Sequence, residues 1–168
     1  MKYLVLIIDD EENIRLSLKG GLEDEGYSTV LASTAEEGLK IIEKQDIDLV
    51  FLDIWMPGMD GLQALQEIKR TNPDLPVIIM TGHGSIETAV KATRLGALDF
   101  IEKPLRDQVL LDRIQQALHE DAEKRKRKME HDSVRSRLEQ LTKREREVLD
   151  LIAAGKNSKT IAYDLKVS

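Results

Sequence analysis

Five polar residues stand at the ends of short apolar runs, and their types suit one chemistry. Asp9 and Asp10 follow the run from Tyr3 to Ile8, and Asp53 follows the run from Leu49 to Leu52. Thr81 follows the run from Val77 to Met80, and Lys103 follows the weaker segment from Asp99 to Glu102. Three carboxylates gathered in one place repel one another unless a cation joins them, and Mg²⁺ takes oxygen ligands, a few waters and a phosphate. A threonine hydroxyl donates to an anion, and a lysine ammonium places a compact positive charge on a phosphoryl oxygen. Together the five describe a phosphoryl-transfer site in which one carboxylate is the nucleophile and the metal neutralises developing charge. Singly, each has a plainer reading. An acid after a strand caps the next helix, a strand-end threonine is structural and a strand-end lysine is solvated.

That chemistry requires the runs to lie side by side. They are short, continuous and β-rich, as strands buried on both faces of a parallel sheet are. The segments from Ser28 to Ala32 and from Asp99 to Glu102 supply two more strands. Stretches of helical period lie between them: Leu39, Ile41 and Ile42 follow a capping box, Thr34-Ala35-Glu36-Glu37, and Leu62, Leu65 and Ile68 precede Asn72-Pro73. Five βα units with right-handed crossovers predict an α/β fold, an open, doubly wound, five-stranded parallel sheet. In the strand order 2-1-3-4-5 the first and third strands are neighbours where the order reverses, and ligands bind at that reversal. Gly20-Gly21 fits poorly inside the first helix, at about 1 kcal/mol per glycine relative to alanine.

From Leu105 to about Glu139 no Pro or Gly interrupts the chain, which predicts one long helix. Its first part carries Leu105, Val109, Ile114 and Leu118 and is expected to pack on the sheet. Its later part holds the run Lys124-Arg125-Lys126-Arg127-Lys128, read first as a solvated helical linker and second as a nucleic-acid contact. A capping box, Thr142-Lys143-Arg144-Glu145, opens a helix with Val148, Leu149 and Ile152 on one face. Gly155 closes that helix, and Ser158 is the expected cap of another reaching Leu165.

Composition narrows the class. Leu, Ile, Val and Phe make up about 29% of the residues, well above the ~20% below which chains stay disordered. The longest apolar run is far short of the ~18 residues of a membrane span, and the acidic stretch from Asp9 to Glu12 does not suit a signal peptide. The chain has no cysteine, which removes disulfides, thiolate metal sites and thiol catalysis. A cytoplasmic protein without a membrane partner is expected. Residues 1 to 118 carry 12 Lys/Arg against 21 Asp/Glu, whereas residues 119 to 168 carry 13 against 10. An acidic body with a basic tail points to two parts with different partners.

Asp9-Asp10, the stretch from Leu52 to Gly61, Thr81-Gly82-His83-Gly84 and Asp99-Phe100-Ile101-Glu102-Lys103-Pro104 together resemble the receiver domain of two-component response regulators, a flavodoxin/CheY-like fold. The resemblance spans residues 1 to 120. It implies that Asp53 is the phosphoacceptor, that Asp9, Asp10, Asp53 and the backbone carbonyl of Trp55 hold Mg²⁺, and that Thr81 and Lys103 contact the phosphoryl group. It also implies that Thr81 and Phe100 form the switch and that the Lys103–Pro104 peptide is cis. Trp55 and His83 are expected to flank the pocket. A sensor histidine kinase is the implied donor. The chain would not be an enzyme but a phosphoacceptor that phosphorylates itself from small donors and dephosphorylates itself. A homodimer formed on phosphorylation is expected through the fourth helix, fifth strand and fifth helix, or through the linker helix.

The stretches from Leu141 to Leu149 and from Gly155 to Ala162 resemble the start of a LuxR/FixJ-type helix-turn-helix. The expected division is therefore a receiver over 1–120, a helical linker over 121–140 and an incomplete DNA-binding domain over 141–168. Ser168 falls where the resemblance places the start of the recognition helix, so specific DNA binding is expected of the complete output domain and not of this chain. Three rivals remain. A Mg²⁺-dependent phosphatase with an aspartyl nucleophile needs a general acid two residues after Asp53, where Trp55 stands. A flavin module needs a hydroxyl-rich loop after the first strand. A stand-alone receiver or phosphate shuttle would act through protein contact alone.

Overall fold

The computed structural model describes residues 3–82 and 84–166. Their chain order is β1 (Leu4–Ile8), α1 (Glu12–Asp24), β2 (Ser28–Ala32), α2 (Ala35–Lys44), β3 (Leu49–Asp53), α3 (Gly61–Thr71), β4 (Val77–Thr81), α4 (Ile86–Arg94), β5 (Asp99–Glu102), α5 (Asp107–Glu139), α6 (Lys143–Ala153) and α7 (Ser158–Asp164). All five strands are parallel, in the order β2-β1-β3-β4-β5. This is the doubly wound sheet that the sequence predicts.

Strand periodicity divides the core into two layers. On one face Leu6, Ile8, Val50, Leu52, Val77 and Ile79 meet Ile42 of α2, Ala64, Leu65 and Ile68 of α3, and Ala92 of α4. On the other, Val5, Ile7, Leu49, Phe51, Ile78 and Met80 meet Leu18 and Leu22 of α1 and Leu110, Ile114 and Leu118 of α5. Every residue of β3 and β4 is buried. At about 1.5–3 kcal/mol for each buried aliphatic side chain, these two strands fix the positions of whatever stands at their carboxyl ends.

Caps set the helix starts, not always as predicted. Thr34 accepts from the Glu37 amide, but the Glu37 carboxylate accepts from the amide and hydroxyl of Ser33 rather than from Thr34, so that box is half formed. Asp60 and Gln63 close a full capping box on α3 that the sequence reading did not single out. Helix α1 runs through Gly20-Gly21 unbroken. A Cβ at Gly20 would meet nothing, so nothing in the structure explains that glycine.

The chain divides into a unit through Ala122 and a unit from Glu123. Within the second, Thr142 and Glu145 form the expected capping box on α6. Gly155, at φ +76°, ends α6 in a Schellman turn: its amide donates to the Ile152 carbonyl at 2.9 Å and the Lys156 amide to Leu151 at 3.1 Å. The cap of α7 is Asn157 rather than Ser158, because its side-chain oxygen accepts from the Thr160 amide at 2.9 Å. Ile161 is buried there, while Leu149 and Ile152 remain exposed.

Candidate functional site

The register of the sheet assembles the site. β1 and β3 are neighbours, with Ile8 opposite Leu52, so Asp9 and Asp53 emerge side by side. Asp53 pairs with Met80, which puts Thr81 one residue further along the next strand, opposite Glu102. Lys103 follows directly, its amide donating to the Thr81 carbonyl at 2.7 Å. The Lys103–Pro104 peptide is cis, as the resemblance implies.

Asp9, Asp10 and Asp53 each offer a carboxylate oxygen, all within 4.8 Å of one another. Asp9 and Asp53 are buried and Asp10 is exposed. Asp9 is held at three points: Oδ1 accepts from the Glu11 amide at 2.9 Å, its carbonyl accepts from Arg15 Nη1 at 2.6 Å, and its amide donates to Ala32 at 3.2 Å. Its buried Oδ2 lies 2.8 Å from Lys103 Nζ as an ion pair. Lys103 Nζ also lies 3.1 Å from Asp53 Oδ1 and 3.5 Å from Glu11 Oε1.

Charge is unevenly settled here. Burial first, opposed by Lys103 and reinforced by Asp9 and Asp10, raises the Asp53 pKa to about 6 in all. Burial also works against the Lys103 ammonium, but its contacts with Asp9 and Asp53 outweigh that and hold its pKa above the usual value. One ammonium thus serves three carboxylates. Three hard oxygen donors within 4.8 Å of one another, two of them on buried side chains and sharing one ammonium, fit a divalent cation such as Mg²⁺.

The loop after β3 folds back on the acid. The Gly61 amide donates to the Ile54 carbonyl at 2.9 Å, and a Cβ on Gly61 would lie 2.1 Å from the Asp53 carbonyl oxygen. Glu36 Oε1 accepts from the Met59 amide of the same loop at 3.3 Å. Phe100 packs against the α2–α3–α4 core layer. A Cβ on Gly84 would come within 2.9 Å of the Phe100 ring and 3.0 Å of Thr81 Cγ2, so Gly84 leaves room beside both. The Trp55 side chain is 62% exposed, and His83 lies outside the described residues. A cleft of about 470 Å³ opens beside Lys103, lined by Ile14, Leu18 and Leu105 with Glu11, Asn13 and Ser17.

Sequence reasoning missed the parts that Glu11 and Arg15 play here, and it quoted Gly61 and Gly84 only as members of the resembling stretches without assigning them a role. Glu11 left a signal as the third acid of the run from Asp9 to Glu12, whereas Arg15 left none.

A doubly wound sheet with this acid cluster at its switch point defines a receiver-type domain, and comparison with known proteins agrees. Residues 5–115 match the family described as response regulator receiver domain, and residues 139–168 match bacterial regulatory proteins of the luxR family. The transcriptional regulatory protein FixJ of Rhizobium meliloti is 36% identical over 166 residues, 99% of this chain and 81% of that protein. The putative response regulator NtrX-like of Rickettsia typhi is 48% identical over 109 residues, 64% of this chain and 23% of that protein, so the chain spans about a quarter of that relative's length. A CheY-like receiver domain from Methanospirillum hungatei, 35% identical, superposes with a TM-score of 0.72 over 74% of this chain and 99% of that one. The chain belongs to the FixJ-like response regulators, with a receiver domain followed by LuxR-type DNA-binding sequence. No helix among the described residues is long and apolar enough to cross a membrane.

Proposed function

We propose that this chain is a cytoplasmic response regulator that accepts a phosphoryl group on Asp53 from a sensor histidine kinase and, switched by it, controls transcription. The observation that carries this reading is the convergence of Asp9, Asp10 and Asp53 within 4.8 Å, with Lys103 Nζ 3.1 Å from Asp53. Residues 1–120 form the receiver, 121–140 the linker and 141–168 the LuxR-type part.

An Asp53 carboxylate oxygen attacks phosphorus in line, forming an acyl phosphate as the bond to the leaving imidazole nitrogen breaks. Asp9, Asp10, Asp53 and the Trp55 carbonyl would hold Mg²⁺. When bound, the ion supplies positive charge against the phosphoryl oxygens. Lys103 moves its ammonium from the carboxylates to one phosphoryl oxygen, and the Thr81 hydroxyl donates to another. Phe100 then turns inward towards Thr81, and the surface formed by α4, β5 and α5 changes shape. Val90 and Val109, both exposed, belong to that surface, which is the one offered to a second copy of the chain. Moving such an equilibrium from 1:99 to 99:1 takes about 5.5 kcal/mol of differential stabilisation.

Labelling by acetyl phosphate with Mg²⁺ tests the assignment. Asp53→Asn keeps the shape of the side chain but removes the anionic oxygen, so labelling disappears. Undiminished labelling of that variant would sink it.

A further inference from the structure

The strongest charge feature outside the site lies on α5. Every residue from Lys124 to Gln140 is exposed. Among the described residues, Lys124, Lys126 and Arg127 make no ion pair or hydrogen bond. The sign of the charge also changes along the chain: residues 1 to 122 carry 12 Lys/Arg against 23 Asp/Glu, and residues 123 to 168 carry 13 against 8.

Five successive basic residues wrap round a helix, so the run by itself makes no face. The residues after it do. At about 100° per residue, Lys124, Arg127, Lys128, His131 and Arg135 fall within an arc of about 100° and extend along about 17 Å of helix. The acids of this stretch, Glu123, Glu130, Asp132 and Glu139, all fall outside that arc. Glu139 reaches Arg135 at 3.1 Å from one edge. Lys126 and Arg137 stand on the opposite side, beside Glu123 and Glu130. The apolar residues here, Met129, Val134 and Leu138, are spaced five and four apart, which makes no coiled-coil seam. Val134 borders the arc and Leu138 enters it only beyond Arg135, so from Lys124 to Arg135 the arc itself is ionic.

The geometry points to this stripe on α5 as a surface that binds the phosphate backbone of duplex DNA independently of sequence, next to the LuxR-type residues in the same unit. It supplies affinity and register while base reading falls to the output domain. The inference rests on the reading of the chain as a regulator that acts at DNA, and adds to it a contact outside the helix-turn-helix.

The test uses the full chain and a fluorescent random-sequence duplex, with anisotropy read from about 50 mM salt upwards. Each phosphate neutralised contributes about 0.9 to the slope of log K against log salt, so Lys124→Gln/Arg127→Gln lowers the slope by about 2. Lys126→Gln/Arg137→Gln removes the same charge from the opposite side and leaves the slope nearly unchanged. Glutamine keeps helix propensity, and circular dichroism checks that both variants stay helical. Equal losses in the two variants would reduce the stripe to general attraction and overturn the proposal. So would a parent chain that does not bind the duplex. Unchanged duplex binding in the first variant, with weaker self-association at the same salt, would assign the stripe to the acidic unit of a second copy and overturn it as well. Labelling at Asp53 is not read by this assay, so failure of the phosphoacceptor reading leaves its result intact.

Discussion

Lys103 lies nearer to Asp9 than to Asp53: its Nζ is 2.8 Å from Asp9 Oδ2 and 3.1 Å from Asp53 Oδ1. The ammonium therefore sits on two of the carboxylates proposed to hold Mg²⁺, and cation and lysine compete for the same oxygens. Lys103→Met removes the competitor while keeping much of the stem. Mg²⁺ then binds more tightly, by about tenfold for each 1.4 kcal/mol of repulsion relieved. Without the ion the variant is less stable than the parent, since the buried acids lose their counter-charge. An Mg²⁺ midpoint that is unchanged or weaker would show that the lysine does not compete.

Asp10 is the exposed member of the cluster, so its removal costs the fold little. Asp10→Ala raises the Mg²⁺ midpoint by about tenfold or more and lowers acetyl phosphate labelling in parallel, with the melting temperature nearly unchanged. Trp55, the chain's one tryptophan, is the fluorescent reporter. An unaltered midpoint would exclude Asp10 as a ligand.

The raised pKa of Asp53 has a definite sign. An acid with a folded-state value of about 6 against an ordinary value of 3.8 contributes stability that is full below 3.8 and is lost as pH rises through about 6. In metal-free buffer the parent chain loses about 1–3 kcal/mol from this group between those limits. Asp53→Asn does not titrate there. Its urea midpoint accordingly exceeds that of the parent above about pH 7, and the advantage vanishes near pH 4. A gap of constant size across that range would contradict the shift.

Gly61 leaves no space for a side chain. With a Cβ 2.1 Å from the Asp53 carbonyl oxygen and 2.7 Å from Ile54 Cα, Gly61→Ala must push backbone, not a flexible chain end. A loss of about 3 kcal/mol is expected by urea titration, together with slower labelling because the displaced segment carries the proposed nucleophile. Full stability and full labelling in that variant would show that the loop relaxes freely.

The strands and the five strand-end residues were legible because both signals are local in the chain. Continuous β-branched runs announce buried strands, and a polar residue at the end of each is visible without the fold. Contacts made across the fold were not. Nothing near Gly61 in sequence indicates that the loop returns to Asp53, and nothing near Lys103 indicates that Asp9 is its nearer partner. Caps failed for a different reason. Asn157 and Ser158 are both good N-caps at adjacent positions, and Ser33 and Thr34 compete for the same glutamate. Local propensity ranks such neighbours equally, and backbone geometry chooses between them.

Helix α4 is fastened to the sheet through one fully buried side chain, Ala92, while Ile86 and Val90 stand in solvent. A methyl group contributes about 0.8 kcal/mol on burial, little beside the aliphatic anchors of the other helices. Compliance in this unit is therefore concentrated in one element, and that element begins just after Thr81 and Gly84. Amide exchange would register it as early deuteration along α4 against late deuteration in β3 and β4. Phosphorylation at Asp53, as proposed, would act on a fully buried strand and so be positioned to displace the helix that is anchored least.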